Sequence, residues 1–162
     1  MMCARPHIDL HGLPSLSRLL ASARGLRNAP ARSVRRLALR GSHLGLLTRE
    51  VDKASAERFC RAAEALGAHV SQVTPALTDS SLPADIDRLA GVLARLYSGI
   101  ECQGIAPSLV GRIAAKSGVP VFAGLATPAH PLAEAVTAMG GEGSDEEKWI
   151  WLIQAVLLER IG

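Results

Sequence analysis

The stretch "HLGLLTREVDKASAERFC", residues 43–60, decides the fold, because an apolar run passes into a helix without a hairpin turn. The run "HLGLLT" has the length of a strand, and the helical pattern over residues 55–66 is closed by Gly67. A helix start offers free N–H groups and the positive end of a dipole to an anion. This one carries Asp52 and two alanines, with no arginine before Arg58. It is either a phosphate loop that has lost its phosphate or only a connection.

The same alternation repeats along the chain. The strand-like runs "AHVSQV", "GIEC" and "VPVFAGL" are separated by helical patterns, and the connections are too long for hairpins. Such repetition predicts right-handed crossovers between parallel strands. We therefore expect an α/β fold, a three-layer sandwich in which a four-stranded parallel sheet has helices on both faces. Ligands in such folds bind beyond the carboxyl ends of the strands, so we expect a site formed by residues 48–55, 101–107 and 123–131.

Segments on either side of this pattern complete the predicted organisation. Apolar residues at helical spacing predict an amphipathic helix over residues 13–25, within a domain of residues 1–140. Residues 141–162 form a glycine-containing linker and a helix that begins with a capping box, Ser144 and Glu147. The helix has a broad apolar face and no strand follows it. We therefore expect it to dock back on the same domain or on a partner.

Composition narrows the function classes. The 162 residues are 48% hydrophobic, 20% charged and only 3% aromatic, which is typical of a globular domain. No apolar run approaches the roughly eighteen residues of a membrane span, and we expect neither a secretory signal nor a membrane partner. Cys3, Cys60 and Cys102 lack metal-binding spacing, which predicts no metal site, reduced thiols and a cytoplasmic location. We also expect no cofactor.

A basic segment is the main asymmetry of charge. Six of the fifteen arginines lie in residues 24–40. Such a segment is able to bind nucleic acid or an anionic surface. No aromatic side chains are interleaved for base stacking, so we favour a solvated helix end and loop, and predict no nucleic-acid partner.

Over residues 39–139 the chain resembles the carbamoyl phosphate-binding domain of ornithine carbamoyltransferase and its aspartate relative. The matching pieces are "LRGSHLGLL", "LGAHV", "VLARLYSGI", "GVPVFAGL" and His130-Pro131. They run in register without a gap, and the helix at residues 13–25 falls where the family has one. The resemblance implies the α/β fold already expected from the alternation, and a site that binds carbamoyl phosphate.

The resemblance also implies which residues form that site. Family enzymes hold the phosphate with a Ser-Thr-Arg-Thr-Arg turn, and the matching positions here are Asp52, Lys53, Ala54, Ser55 and Ala56. Gln103 replaces a third family arginine. The His-Pro-x-Gln motif keeps His130 and Pro131 but has lost its glutamine. We therefore interpret these eight positions as a degenerate phosphate and carbamoyl site.

The missing arginines decide how we interpret this site. A charge-assisted hydrogen bond contributes roughly 1.5–3 kcal/mol, so three missing arginines forfeit about 5–9 kcal/mol. A micromolar anion is bound by about 8 kcal/mol in total. Lys53 and Ser55 restore only a fraction of the lost binding free energy, and the Asp52 carboxylate repels a dianion. We expect an inactive phosphate site, with His130 as the one residual catalytic candidate. In relatives this histidine polarises the carbamoyl oxygen; we favour a role in packing and capping here.

The resemblance leaves three function classes. Family enzymes have a second, amino-acid-binding domain, which we expect to be absent here, with "WIWLIQAVLLERIG" kept as its closing helix. The preferred class is a catalytically inactive domain that acts through protein contacts, as a homotrimer like its relatives or in a hetero-oligomer with a full-length carbamoyltransferase. The alternatives are a small-ligand or anion-binding domain and a residual carbamoyltransferase that needs a separate acceptor-binding subunit.

Overall fold

A computed structural model describes residues 15–30, 37–49, 52–78 and 80–162, and the structural statements below concern these residues. They form four strands and six helices. In chain order the elements are α1 (Leu16–Asn28), β1 (His43–Thr48), α2 (Lys53–Glu64), β2 (His69–Val73), α3 (Pro83–Leu96), β3 (Gly99–Gln103), α4 (Pro107–Ser117), β4 (Val121–Ala123), α5 (Leu132–Met139) and α6 (Asp145–Arg160).

The four strands form one parallel sheet in the order β2-β1-β3-β4. In the register of the central strand, Leu44 lies opposite Val70 on β2 and opposite Gly99 on β3. Strand β3 is buried along its whole length, as expected for a strand covered on both faces. The predicted α/β sandwich with a four-stranded parallel sheet is confirmed.

Helices cover both faces of the sheet. Helices α3 and α4 pack over one face, where Leu47 and Ile100 are buried. Helices α1, α2, α5 and α6 form the layer over the other face, where Leu44 and Leu46 are buried. Successive strand residues point to opposite faces, so β1 supplies both cores from one short apolar run.

Helix α6 docks back on the domain, as predicted. It lies against α1, α2 and α5 and buries side chains on several sides, which is typical of a helix enclosed by others. The Gln154 amide donates to the backbone carbonyl of Ala62 on α2 at 3.3 Å. The capping box is present, with Ser144 and Glu147 each bonding the other's backbone N–H.

The predicted bounds of the first helix, 13–25, were wrong at the carboxyl end. Helix α1 continues through Gly25 to Asn28, and residues 13 and 14 lie outside the described part of the chain. Glycine costs about 1 kcal/mol in a helix interior. Burial of Leu26, which is only 4% exposed, outweighs this cost.

Arginines of α1 hold the turn between α5 and α6. Arg24 donates to the carbonyl oxygen of Met139 at 3.2 Å, and Arg27 donates to that of Gly140 at 3.1 Å. Both acceptors lie at the carboxyl end of α5, where helix carbonyls lack internal partners. At least two arginines of the basic segment 24–40 therefore have an intramolecular role.

Candidate functional site

The sheet reverses its strand order between β1 and β3, because the chain adds β2 on one side of β1 and then β3 and β4 on the other. Ligands of open α/β sheets bind beyond the carboxyl ends of the strands at such a point. Four of the five buried polar side chains of the described residues lie here: Thr48, Ser55, Glu101 and Gln103. Together with Asp52 we call them the β1–β3 cluster.

Asp52 caps the helix that follows β1. One carboxylate oxygen accepts the backbone N–H of Ser55 at 3.4 Å, and the other accepts the Ser55 hydroxyl at 2.5 Å. The bond from the Ser55 hydroxyl holds the pKa of the Asp52 carboxyl below its usual range. The chain's own carboxylate therefore occupies the helix N-terminus that an external anion would need.

The other predicted residues of this turn point in different directions. Lys53 and Ala54 are exposed, whereas Ala56 is buried within the core beneath α2. Of the five turn positions, the structure brings only Asp52 and Ser55 together in the cluster.

Gln103 joins β3 to α2. Its amide nitrogen donates to the backbone carbonyl of Ser55 at 3.3 Å and to a carboxylate oxygen of Glu101 at 3.5 Å. Its amide oxygen is buried and has no hydrogen-bond partner in the structure. Gln103, which the resemblance places where family enzymes have an arginine, thus donates its amide hydrogen bonds inside the protein.

Glu101 is a member of the cluster that sequence reasoning missed. It is fully buried and accepts the backbone N–H groups of Leu125 at 2.9 Å and Ala126 at 3.0 Å. Burial raises its pKa to about 7, although the peptide N–H groups favour the charged form. Its signal in the sequence was an acidic residue at the centre of the apolar run "GIEC". Glu101 fixes the loop that leads from β4 towards His130.

The two arginines that flank the turn have partners elsewhere. Arg58 forms an ion pair with Glu146 at 2.9 Å, donates to the carbonyl of Ala126 at 2.7 Å, and stacks over the Trp149 ring at 4.8 Å. Arg49 donates to backbone carbonyls of the loop after β2, those of Pro75 and Leu77. Neither guanidinium is free to bind a phosphate.

His130 bonds to the start of its own helix. Its Nδ1 accepts the backbone N–H of Leu132 at 3.0 Å, and Pro131 lies between them at the entry to α5. Burial lowers the pKa of His130, which favours the neutral ring. In this geometry Nδ1 acts as a capping acceptor.

A separate pocket of about 380 Å³ opens beyond the carboxyl ends of β3 and β4. We call it the β3–β4 pocket; residues of its lining include Cys102, Gly104, Val110, Gly111, Gly124 and Thr127. It shares no residue with the β1–β3 cluster. Within the described ranges no group of three or more His, Cys, Asp or Glu side chains is placed to hold a metal ion, and no helix is long and apolar enough to span a membrane.

Comparison with known proteins gives relatives of one kind. The chain is 33% identical to ornithine carbamoyltransferase of Cutibacterium acnes over 133 residues, which cover 78% of this chain and 39% of that protein. It is 32% identical to ornithine carbamoyltransferase of Actinobacillus pleuropneumoniae over 113 residues, 70% of this chain and 34% of that one. The chain thus spans well under half the length of these relatives. No protein-family model matches it.

Solved structures share the fold. Ornithine carbamoyltransferase of Thermus thermophilus superposes with a TM-score of 0.61 at 24% identity, covering 76% of this chain and 42% of that one. The structure of N-acetyl-L-ornithine transcarbamylase superposes with a TM-score of 0.60 at 22% identity, and the match covers 76% of this chain and 42% of that one.

Proposed function

The chain belongs to the carbamoyltransferase family through its match to the amino-terminal domain, and from this premise we propose that it is a catalytically inactive relative that acts through protein contacts. The observation that carries the proposal is the bond between Asp52 and Ser55, because it fills the helix N-terminus with a carboxylate. A phosphate dianion there would have to displace an internal anion and then meet its repulsion.

The charges around the turn support the same conclusion. Arg49 and Arg58 donate hydrogen bonds to backbone carbonyls elsewhere in the chain, and the Gln103 amide donates to the backbone carbonyl of Ser55. Lys53 is the remaining cation of the turn, and it is exposed, where a single ion pair contributes at most about 1 kcal/mol. That is far below the roughly 8 kcal/mol of a micromolar complex.

We also propose that the relatives' acceptor-binding domain has no counterpart between α5 and α6. Residues 140–144 join the two helices directly, and Gly140, Gly141 and Gly143 have positive φ angles that allow the tight turn. Helix α6 then takes its place beside α1 and α2. In this proposal α6 corresponds to the closing helix of the longer relatives.

Helix α3 supplies a surface for the proposed contacts. Val92 and Leu96 are 47% and 56% exposed and lie one turn apart, and Leu82 just before the helix is 69% exposed. Such an apolar face favours assembly, as a homotrimer or with a full-length carbamoyltransferase. The free thiols Cys60 and Cys102 support a reducing, cytoplasmic location.

Calorimetry with carbamoyl phosphate tests the inactive site, followed by an assay of carbamoyl transfer to ornithine. We expect no binding tighter than about 1 mM and no transfer. The double variant Asp52→Ser, Gln103→Arg removes the internal anion and restores one cation, so we expect it to gain affinity for the phosphate. Asp85→Ser, which removes a first-turn carboxylate of α3, is the matched control and should gain none.

Other results would favour the alternatives. Wild-type binding in the micromolar range without transfer would identify an anion-binding domain. Transfer that appears only when an acceptor-binding subunit is added would identify a residual enzyme.

Size-exclusion chromatography with light scattering tests the protein contacts. We expect an oligomer for the wild type, and a monomer for the variant Val92→Lys, Leu96→Glu. A wild-type protein that remains monomeric both alone and when mixed with a full-length carbamoyltransferase would contradict the proposal.

A further inference from the structure

We propose that the β3–β4 pocket is a second binding site, which takes a small, uncharged, largely apolar molecule that carries a hydrogen-bond donor. This site does not depend on the phosphate turn, because it lies on the opposite face of the sheet. Along β3, Cys102 points to the α4 side and into the pocket, while Glu101 and Gln103 point to the α2 side. The two sites have in common only that both lie at the carboxyl ends of the strands.

The volume fits a small organic ligand. Ligand pockets generally measure about 300–1,000 Å³, and an engineered apolar cavity of about 150 Å³ holds benzene. The β3–β4 pocket, at about 380 Å³, therefore has room for a molecule of one or two rings. It also lies beyond the carboxyl ends of parallel strands, where such folds bind their ligands.

The lining selects an uncharged ligand. It consists of aliphatic side chains, glycines, one thiol and one hydroxyl, and no charged side chain belongs to it. An ion entering the pocket would lose part of its hydration and would meet no charged side chain in the lining. Burial raises the pKa of the Cys102 thiol to about 12, so it stays protonated and binding is not covalent.

Thr127 supplies the hydroxyl of the pocket lining, and the hydrogen bonds of this hydroxyl decide whether a ligand must donate to it or accept from it. Its Oγ1 donates to the carbonyl of Gly124 at 2.7 Å, and the N–H of Gly124 in turn donates to the carbonyl of Cys102 at 2.7 Å. The hydroxyl proton is therefore in use, and the oxygen is left to accept. A ligand that bonds to Thr127 must supply an N–H or O–H.

Two glycines keep the pocket open in different ways. At Gly124, where φ is +69°, a Cβ would lie 2.8 Å from Thr127 Oγ1, so only glycine allows this hydroxyl to approach. At Gly111 on α4 a Cβ would meet nothing within 4 Å. A side chain added at Gly111, which lines the pocket, would therefore enter open space without displacing the pocket walls.

Indole is a suitable probe, since it is apolar, uncharged and carries one N–H donor. In ¹⁵N-resolved NMR titrations of the full chain, we expect saturable shifts of the Gly104, Gly111 and Gly124 amides with a Kd of about 1 mM or tighter. Shifts centred elsewhere, or no saturation at several millimolar, would overturn the proposal. This measurement needs no variant.

Variants then locate the site. Gly111→Leu should weaken indole binding by about tenfold or more, because it fills the space that the ligand needs. Gly91→Leu is the matched control: Gly91 lies on α3, outside the pocket, and its Cβ also meets nothing within 4 Å. It should bind indole as the wild type does. Circular dichroism of both variants confirms folding.

The charge of the ligand is tested with two analogues that are similar to each other in size and a few atoms larger than indole. Indole-3-acetate and tryptamine, which carry opposite charges at neutral pH, should each bind at least about fivefold more weakly than indole. Equal affinity for either analogue, or for indole in wild type and Gly111→Leu, would refute the proposed site.

Discussion

The β1–β3 cluster and the β3–β4 pocket lie along one edge of the same sheet, yet they differ in what is left to bind a ligand. In the cluster the polar groups bond one another: Asp52 to Ser55, and Gln103 to Ser55 and Glu101. In the pocket the walls are apolar and glycines leave space. If both proposals hold, position at the ligand-binding edge is not sufficient for binding. Binding requires groups or space that the protein has not already used.

Glu101 gives the largest expected effect on the cluster. Its pKa rises from 4.5 in the unfolded chain to about 7 in the fold, so the folded state holds the extra proton between these values. The contribution of Glu101 to stability is therefore fully present below pH 4.5 and falls as the pH rises towards 7, by on the order of 3 kcal/mol. Urea unfolding of the wild type and of Glu101→Gln across this pH range should show that the difference between their free energies of unfolding changes with pH. A constant difference would mean that Glu101 does not titrate there.

Two of the three glycines that line the pocket, Gly111 and Gly124, should respond in opposite directions to the same substitution. Gly124→Ala should lower the free energy of unfolding by about 1–3 kcal/mol, because φ is positive there and the new Cβ meets Thr127. Gly111→Ala should raise it by about 0.5–1 kcal/mol, because alanine is the better helix former and the Cβ is free. Thermal unfolding measures both. Changes of the same sign would show that the pocket walls are not shaped as described.

Asp52 gives the smallest expected effect. Its lowered pKa means that its contribution is present above the ordinary carboxyl value of 3.8 and is lost as the pH falls through the folded pKa. The stability difference between wild type and Asp52→Ala should therefore shrink in acid. Asp52→Asn, which caps without titrating, is the control, and its difference from alanine should stay constant. If both differences stay constant, the carboxylate does not hold the helix end.

Much of the fold was predictable because its signals are local. Apolar runs and helical spacing identified all four strands, and Gly67 and Gly118 end α2 and α4 with positive φ, as such glycines do. Gly25 was misinterpreted as a helix end, since the burial of Leu26 that carries α1 onward is a tertiary contact.

The site was less predictable, since it depends on which loops meet. Sequence resemblance identified Asp52 and Gln103, but their bonds to Ser55 follow from how β3 and α2 are placed. Glu101 binds a loop more than twenty residues away, at Leu125 and Ala126. The pocket is formed by two stretches of the chain, residues 102–111 and 123–127, and no local pattern indicates the volume between them.

The packing of α1 has a consequence for the order of events during synthesis. Helix α1 lies against α5 and α6, which are translated last among the elements described. An ion pair between Arg18 and Glu159 joins the start of α1 to the end of α6. We therefore expect α1 to expose its apolar stripe on the ribosome until the chain has emerged through α6, with its leucines accessible to chaperones during that interval.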